Sequence, residues 1–130
     1  MPNQLGQKQP VVMIVDDEPM VLEVSSLMIE SLGFEVHSFS SPSEALSAFK
    51  EHPALFDLAV IDMMMPGYTG KQLFLKLKEI NPAIKAIISS GYQMNESDKS
   101  LLDLGISGFL NKPFTMDALR ERLNEFLVPK

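Results

Sequence analysis

The sequence from Leu58 to Gly70 reads LAVIDMMMPGYTG, and this stretch decides the fold class. Its first four residues are apolar without interruption, which is typical of a strand that is covered on both faces. Asp62 follows that strand directly, and Pro66-Gly67 predicts a turn. Thr69 then predicts the N-cap of an amphipathic helix. A buried strand that leads through a turn into a helix is the repeating unit of a parallel α/β sheet.

The same unit recurs along the rest of the chain. Short apolar runs predict strands at residues 11–15, 34–39, 58–61, 84–88 and 108–110. Cap and proline signals predict helices that begin near Pro19, Pro42, Thr69, Asn95 and Thr115. In the first helix, an apolar stripe is formed by Val21, Val24, Met28 and Leu32. The pattern therefore predicts five strands that alternate with five helices.

Strict alternation of this kind predicts a three-layer α/β sandwich, because parallel strands need right-handed crossovers that place helices on both faces of the sheet. We expect residues 1–10 to be a flexible leader and residues 11–128 to form one domain. In such folds the functional site lies beyond the carboxyl ends of the strands. The residues that follow each strand are therefore the candidates for function.

Composition narrows the classes of function. The chain has 130 residues, of which 45% are hydrophobic and 22% charged, a profile typical of one globular domain. The net charge of -6 argues against direct nucleic-acid binding, which depends on Lys and Arg. Cysteine is absent, so disulfides and thiolate metal sites are excluded, and the cytoplasm is the expected location. No apolar run has the length of a membrane span or a signal peptide, so no membrane association is expected.

Polar side chains follow four of the predicted strands. They are the pair Asp16-Asp17, Asp62, the hydroxyls of Ser89-Ser90, and Lys112. Each alone is ambiguous, because an Asp after a strand is often a helix cap or a turn residue. Together, three crowded carboxylates remain ionised only if a cation compensates them, and hard oxygen ligands suit Mg²⁺, or Mn²⁺ as a substitute. Lys112 and Ser90 add donors for a carboxylate or a phosphoryl oxygen.

With these residues in place, the chain resembles the receiver domain of two-component response regulators from Val11 to Leu127. Asp16-Asp17 matches the acidic pair of that family, and residues 62–70 match its Asp-x-x-Met-Pro…Gly segment. Ser90 matches its Thr/Ser position, and Lys112-Pro113 matches its Lys-Pro. The resemblance implies a flavodoxin-like fold with strand order 2-1-3-4-5. It also implies a signalling switch in a phosphorelay rather than an enzyme, with at most self-catalysed phosphoryl transfer and autodephosphorylation.

The resemblance assigns a role to each residue of the site. Asp62 would be the phosphoacceptor, and Lys112 would pair with the phosphoryl group. Asp17 and Asp62 would bind Mg²⁺ directly together with the backbone carbonyl of Met64. Asp16 would act on the metal mainly through a bound water. The donor would be the phosphohistidine of a histidine kinase or of a histidine phosphotransfer domain.

Four further residues are expected to govern the response. Ser90 and Phe109 would form the switch, in which the hydroxyl moves toward the phosphoryl group and the aromatic ring takes the vacated space. Met64 and Tyr92 are bulky and lie two residues after Asp62 and Ser90, so we expect them to slow hydrolysis of the phosphoryl group. The family also implies a cis peptide before Pro113, which an X-Pro bond permits.

Several alternatives remain open. A stand-alone regulator and a segment of a hybrid histidine kinase fit the sequence equally well. Output would pass to a downstream protein through the face formed by the fourth helix, the fifth strand and the fifth helix. The main alternative function is a degenerate receiver that binds proteins without phosphorylation. FMN binding is disfavoured, because Asp16-Asp17-Glu18 stands where a phosphate would be held. An aspartyl-phosphate phosphatase is disfavoured, because Met64 cannot transfer protons.

Overall fold

A computed structural model of the chain describes residues 9–91 and 100–127, and its centre is a five-stranded sheet. The strands are β1 (Val11–Val15), β2 (Glu35–Phe39), β3 (Leu58–Asp62), β4 (Lys85–Ser90) and β5 (Gly108–Asn111). Their spatial order is β2-β1-β3-β4-β5 and every pairing is parallel, as predicted. A separate antiparallel hairpin pairs Met64–Met65 with Tyr68–Thr69, between β3 and the helix that follows.

Helices cover both faces of this sheet. They are α1 (Pro19–Ser31), α2 (Pro42–Glu51), α3 (Gly70–Ile80) and α4 (Met116–Phe126), with a 3₁₀ helix at Ser100–Leu104. The predicted three-layer, flavodoxin-like sandwich is confirmed. The helix predicted to begin at Asn95 starts outside the described residues, and its described part is the 3₁₀ turn, so the described ranges contain four α-helices instead of five. None of the described helices has both the length and the apolarity that crossing a bilayer would require.

Local hydrogen bonds explain where the helices begin. The Ser41 hydroxyl accepts a bond from the Glu44 N–H at 3.2 Å and starts α2. At α3, the Gln72 N–H donates to the Thr69 hydroxyl at 3.1 Å, and the Thr69 N–H donates to the Gln72 side chain at 2.8 Å. This reciprocal pair satisfies two N–H groups that a helix start otherwise leaves without partners. It fixes α3 immediately after the hairpin that follows Asp62.

The core lies in two layers, one on each face of the sheet. On one face, Met13 and Val15 of β1 pack with Phe49 of α2 and Phe74 of α3. On the other face, buried apolar residues of the strands pack with α1 and α4; they include Val12, Ile14, Ile29, Leu119 and Leu123. Because successive side chains of a strand point to opposite faces, a continuously apolar strand supplies both layers.

The outward face of α1 differs from the expected amphipathic pattern. The residues of α1 that are fully buried are Ser25 and Ile29, whereas Val24 is 53% exposed. Val24 therefore does not belong to the core, although the sequence placed it in the apolar stripe. The physical reason is that α1 is apolar on two faces, and periodicity alone does not tell which of them meets the sheet. The second face is exposed and consists of Met20, Val24 and Leu27.

Candidate functional site

Three carboxylates meet at the carboxyl edge of the sheet. Asp62 is the last residue of β3, and Asp16-Asp17 follows β1, which is the neighbour of β3. One oxygen from each of the three side chains lies within 4.8 Å of the others. Asp16 is 3% exposed and Asp62 is 7% exposed. The fold therefore holds three acidic groups in a space where each desolvates and repels the others.

Lys112 is the positive partner of this group. Its Nζ donates to Asp16 Oδ2 at 2.6 Å and to Asp62 Oδ1 at 3.0 Å. The backbone N–H of Lys112 donates to the Ser90 carbonyl at 2.6 Å, which ties the end of β5 to the end of β4. Three carboxylates and one ammonium leave the site with two excess negative charges when all are ionised. A divalent cation would balance that excess.

The pKa of Asp62 is raised above its ordinary value. Burial is the main cause, and the negative charges of Asp16 and Asp17 add to it, while the hydrogen bond and charge of Lys112 oppose it. For Lys112, burial lowers the pKa, but the hydrogen bonds and charges of Asp16 and Asp62 outweigh that effect and raise it overall. Lys112 therefore stays protonated at neutral pH, whereas ionisation of Asp62 is less favourable in the folded site than in water.

Backbone contacts fix the acidic groups in place. The Asp16 carboxylate accepts a bond from the Glu18 N–H at 3.0 Å. The Met63 N–H donates to the Ser89 carbonyl at 2.7 Å, and the Gly70 N–H donates to the Met63 carbonyl at 2.8 Å. A Cβ atom on Gly70 would stand 2.7 Å from the Asp62 carbonyl oxygen, closer than real Cβ contacts. Gly70 is thus required by the close approach of α3 to Asp62, a contact that only the structure reveals.

The structure also locates the other residues that the sequence singled out. Ser90 is the last residue of β4 and is 1% exposed, so the strand is longer than predicted and includes both serines. Phe109 lies in β5 opposite Ile88, half-buried against the core layer of α2 and α3. Met64 lies in the hairpin and is 61% exposed. Tyr92 lies outside the described residues. The Lys112-Pro113 peptide is cis.

An apolar groove begins beside Lys112. Its volume is about 530 Å³, and it runs between α1 and the segment after β5. Its lining includes Met20, Val24, Met28, Pro113 and Phe114, together with Gly91 and with Lys112, which contacts the carboxylates. No motif of the sequence predicts this groove. The signal that could have found it is the excess of apolar residues around α1, which is more than one buried face can accommodate.

Comparison with known proteins agrees with this geometry. The family model described as the response regulator receiver domain matches residues 12–124. The chain belongs to this family. Receiver domains of this family act in two-component signalling, and the acidic group at the strand ends could hold a metal ion.

Three relatives show the range of proteins that contain such a domain. The chain is 34% identical over 116 residues to the sensor kinase CckA of Brucella abortus (strain 2308). The aligned region covers 89% of this chain and 12% of CckA. It is 35% identical over 104 residues to the response regulator GtcR of Aneurinibacillus migulanus, covering 79% of this chain and 41% of GtcR. The chain therefore spans less than half of either relative. The solved structure of response regulator TrrA from Thermotoga maritima, in complex with Mg²⁺-BeF, is 26% identical with a TM-score of 0.80, covering 92% of this chain and 100% of TrrA.

Proposed function

We propose that this receiver domain is a phosphorylation-dependent switch in a two-component phosphorelay, with Asp62 as the acceptor and Mg²⁺ (or Mn²⁺) as the cofactor. The observation that carries the proposal is the position of Lys112 Nζ, which bonds both Asp16 and Asp62 within a group of three carboxylates. A degenerate receiver would have no need to keep such a costly arrangement of buried charges.

The donor set fits a hard divalent cation. Asp17 and Asp62 would bind it directly with the backbone carbonyl of Met64, and Asp16 would act through a bound water. Bound there, the cation would neutralise charge on the phosphoryl oxygens. The TrrA structure was solved in complex with Mg²⁺-BeF, which supports Mg²⁺ as the cofactor.

The transfer itself needs few protein groups. A carboxylate oxygen of Asp62 forms the new O–P bond while the N–P bond of the phosphohistidine breaks, and the histidine nitrogen keeps the electron pair. Lys112 lies within bonding distance of Asp62 and is placed to donate to the arriving phosphoryl oxygens. Ser90 supplies a buried hydroxyl at the end of the adjacent strand. Phe109 has no polar group, so its response would depend on packing alone.

The test is phosphorylation by acetyl phosphate and Mg²⁺, followed by intact mass. We expect one added phosphoryl group on the wild-type chain and none on Asp62→Asn. The matched control is Asp117→Asn, because Asp117 is an exposed aspartate of α4 whose side chain is 87% exposed. Equal labelling of wild type and Asp62→Asn, or no labelling of either, would reject Asp62 as the acceptor and favour the phosphorylation-independent binding module.

The groove beside Lys112 supports a docking site for the phosphodonor. The donor histidine must come within bonding distance of Asp62, and the groove is lined in part by Lys112, which contacts Asp62. The exposed apolar face of α1 continues from it, with Met20 78% and Leu27 59% exposed. An apolar groove of this kind fits a helix of the donor that presents apolar side chains. The partner would be a histidine kinase or a histidine phosphotransfer domain.

A charge placed in the groove separates docking from chemistry. Val24→Asp should slow transfer from a phosphorylated histidine phosphotransfer domain and leave labelling by acetyl phosphate unchanged, because the small donor needs no docking. The control is Leu75→Asp, since Leu75 is also partly exposed but lies on α3, at the opposite face of the sheet. Transfer that is equally fast in all three proteins would contradict docking at α1.

Two further features belong to the same proposal. Met64 and Tyr92 are expected to keep water away from the phosphoryl group, so the acylphosphate should be long-lived, and Met64→Asn should shorten its half-life. A half-life of seconds that Met64→Asn leaves unchanged would contradict this.

Output to a downstream protein would use the face formed by the 3₁₀ segment, β5 and α4, which includes Phe109.

A further inference from the structure

The three consecutive methionines after Asp62 differ sharply in exposure. Met64 is 61% exposed, whereas Met63 is 6% and Met65 is 5% exposed. The hairpin explains the difference, because Met65 pairs with Tyr68 and packs into the core layer of α2 and α3, while Met64 pairs with Thr69 and faces outward. Thioether oxidation depends on access of the oxidant to sulfur. Met64 is therefore the reactive methionine of this run.

We propose that Met64 is an oxidation site through which peroxide shortens the lifetime of the phosphorylated domain. The inference rests on the proposed phosphorylation of Asp62. In the reaction, the O–O bond of hydrogen peroxide breaks and one oxygen forms an S–O bond with the Met64 sulfur. Sulfur is oxidised by two electrons, peroxide is reduced, and the second oxygen leaves as water.

The effect follows from the change in polarity two residues beyond the acceptor. The thioether of Met64 is a weak hydrogen-bond acceptor, and Met64 lies two residues beyond Asp62 in the hairpin that follows β3. A sulfoxide oxygen is a strong acceptor that can hold and orient a water molecule. Hydrolysis of an acylphosphate needs a water in line with phosphorus, so an added acceptor at this position speeds the reaction. We expect the half-life to fall about two- to tenfold, the contribution of one ordinary hydrogen bond.

The experiment uses the full chain treated with dilute hydrogen peroxide. Peptide mapping over time should find sulfoxide at Met64 before Met63 and Met65. Each sample is then phosphorylated with acetyl phosphate and Mg²⁺, and the decay of the phosphoryl group is followed by intact mass. Met64→Leu keeps the bulk of the side chain and should make the half-life insensitive to peroxide. The phosphorylated form of Met64→Gln should have a short half-life even without peroxide, because the amide oxygen is a permanent hydrogen-bond acceptor.

Met65 provides the control, because it lies in the same methionine run but is 5% exposed and packs into the core. Met65→Leu should respond to peroxide as wild type does, and methionine sulfoxide reductase should restore the long half-life of both. Oxidation at Met64 with an unchanged half-life of the phosphoryl group would overturn this inference but not the proposed function. Oxidation of Met63 or Met65 before Met64 would overturn it as well. Failure of the untreated chain to take up a phosphoryl group would instead refute the proposed function, and this inference with it.

Discussion

Replacing Lys112 with methionine tests the electrostatic account of the site. Methionine has a similar length but no charge and no donors, so the change removes both bonds from Nζ to Asp16 and Asp62. Those two carboxylates are 3% and 7% exposed, so little water reaches them to replace the lost partner. Breaking a buried ion pair by removing one partner costs about 3–5 kcal/mol. We expect that loss of unfolding free energy near neutral pH without divalent cations.

The loss should depend on pH in a defined direction. The pKa of Asp62 is already raised by burial and by its acidic neighbours, and the loss of Lys112 raises it further. A carboxyl group with a raised folded pKa contributes stability that is complete below its unfolded pKa and disappears as the pH rises through its folded pKa. The cost of Lys112→Met should therefore be smaller near pH 5 than near pH 7.5. The change should not exceed about 1.4 kcal/mol per pH unit for each carboxyl group.

The assay is urea unfolding in EDTA at both pH values, repeated with Mg²⁺. Mg²⁺ should recover part of the loss, because a bound cation replaces the missing positive charge. The control is Lys71→Met, since Lys71 is an exposed lysine at the start of α3 and should cost little. The double variant Lys112→Met/Asp62→Asn should be more stable than Lys112→Met alone. A cost that stays the same at both pH values and in the double variant would refute the reasoning.

Three further predictions concern single substitutions. Asp62→Asn in EDTA should raise the thermal midpoint of unfolding near neutral pH, because it removes a carboxylate whose pKa is raised. The gain in midpoint should vanish below about pH 4, where the carboxyl group is protonated in both states. An unchanged midpoint near neutral pH would contradict this prediction. Gly70→Ala should cost about 1–3 kcal/mol in urea unfolding, because its Cβ meets the Asp62 carbonyl at 2.7 Å, while Gly91→Ala, with nothing within 4 Å, should be nearly neutral. Thr69→Ala should cost about 1 kcal/mol through loss of the reciprocal cap, and equal stability to wild type would argue against it.

The fold could be predicted from the sequence because the strands are apolar on both faces. Such strands need helices above and below, and parallel strands place all their carboxyl ends at one edge. That geometry predicts Asp16, Asp62 and Lys112 at the same edge of the sheet without any knowledge of side-chain contacts. Which strands are neighbours at that edge followed from the strand order that the family resemblance implies.

Other features depend on packing that a one-dimensional pattern does not contain. The spacing of apolar residues in α1 is compatible with Val24 in the core. In the structure, however, Ser25 and Ile29 are buried against the sheet, and Val24 lies at the surface. The steric need for Gly70 depends on how closely α3 approaches Asp62, which no spacing rule specifies. The exposure of Met64 between two buried methionines depends on the hairpin, and three identical residues give no sequence signal for it.

The position of Lys112 connects the stability of the site with its proposed chemistry. In the unphosphorylated chain its ammonium is shared by Asp16 and Asp62, and the third carboxylate nearby keeps the site negative. A phosphoryl group on Asp62 would add between one and two negative charges and three strong acceptors, which compete with Asp16 for the same ammonium. Without a cation the phosphorylated site would hold more repulsion than one lysine can offset. The charges of this site therefore favour a divalent cation in the proposed reaction, independently of any family resemblance.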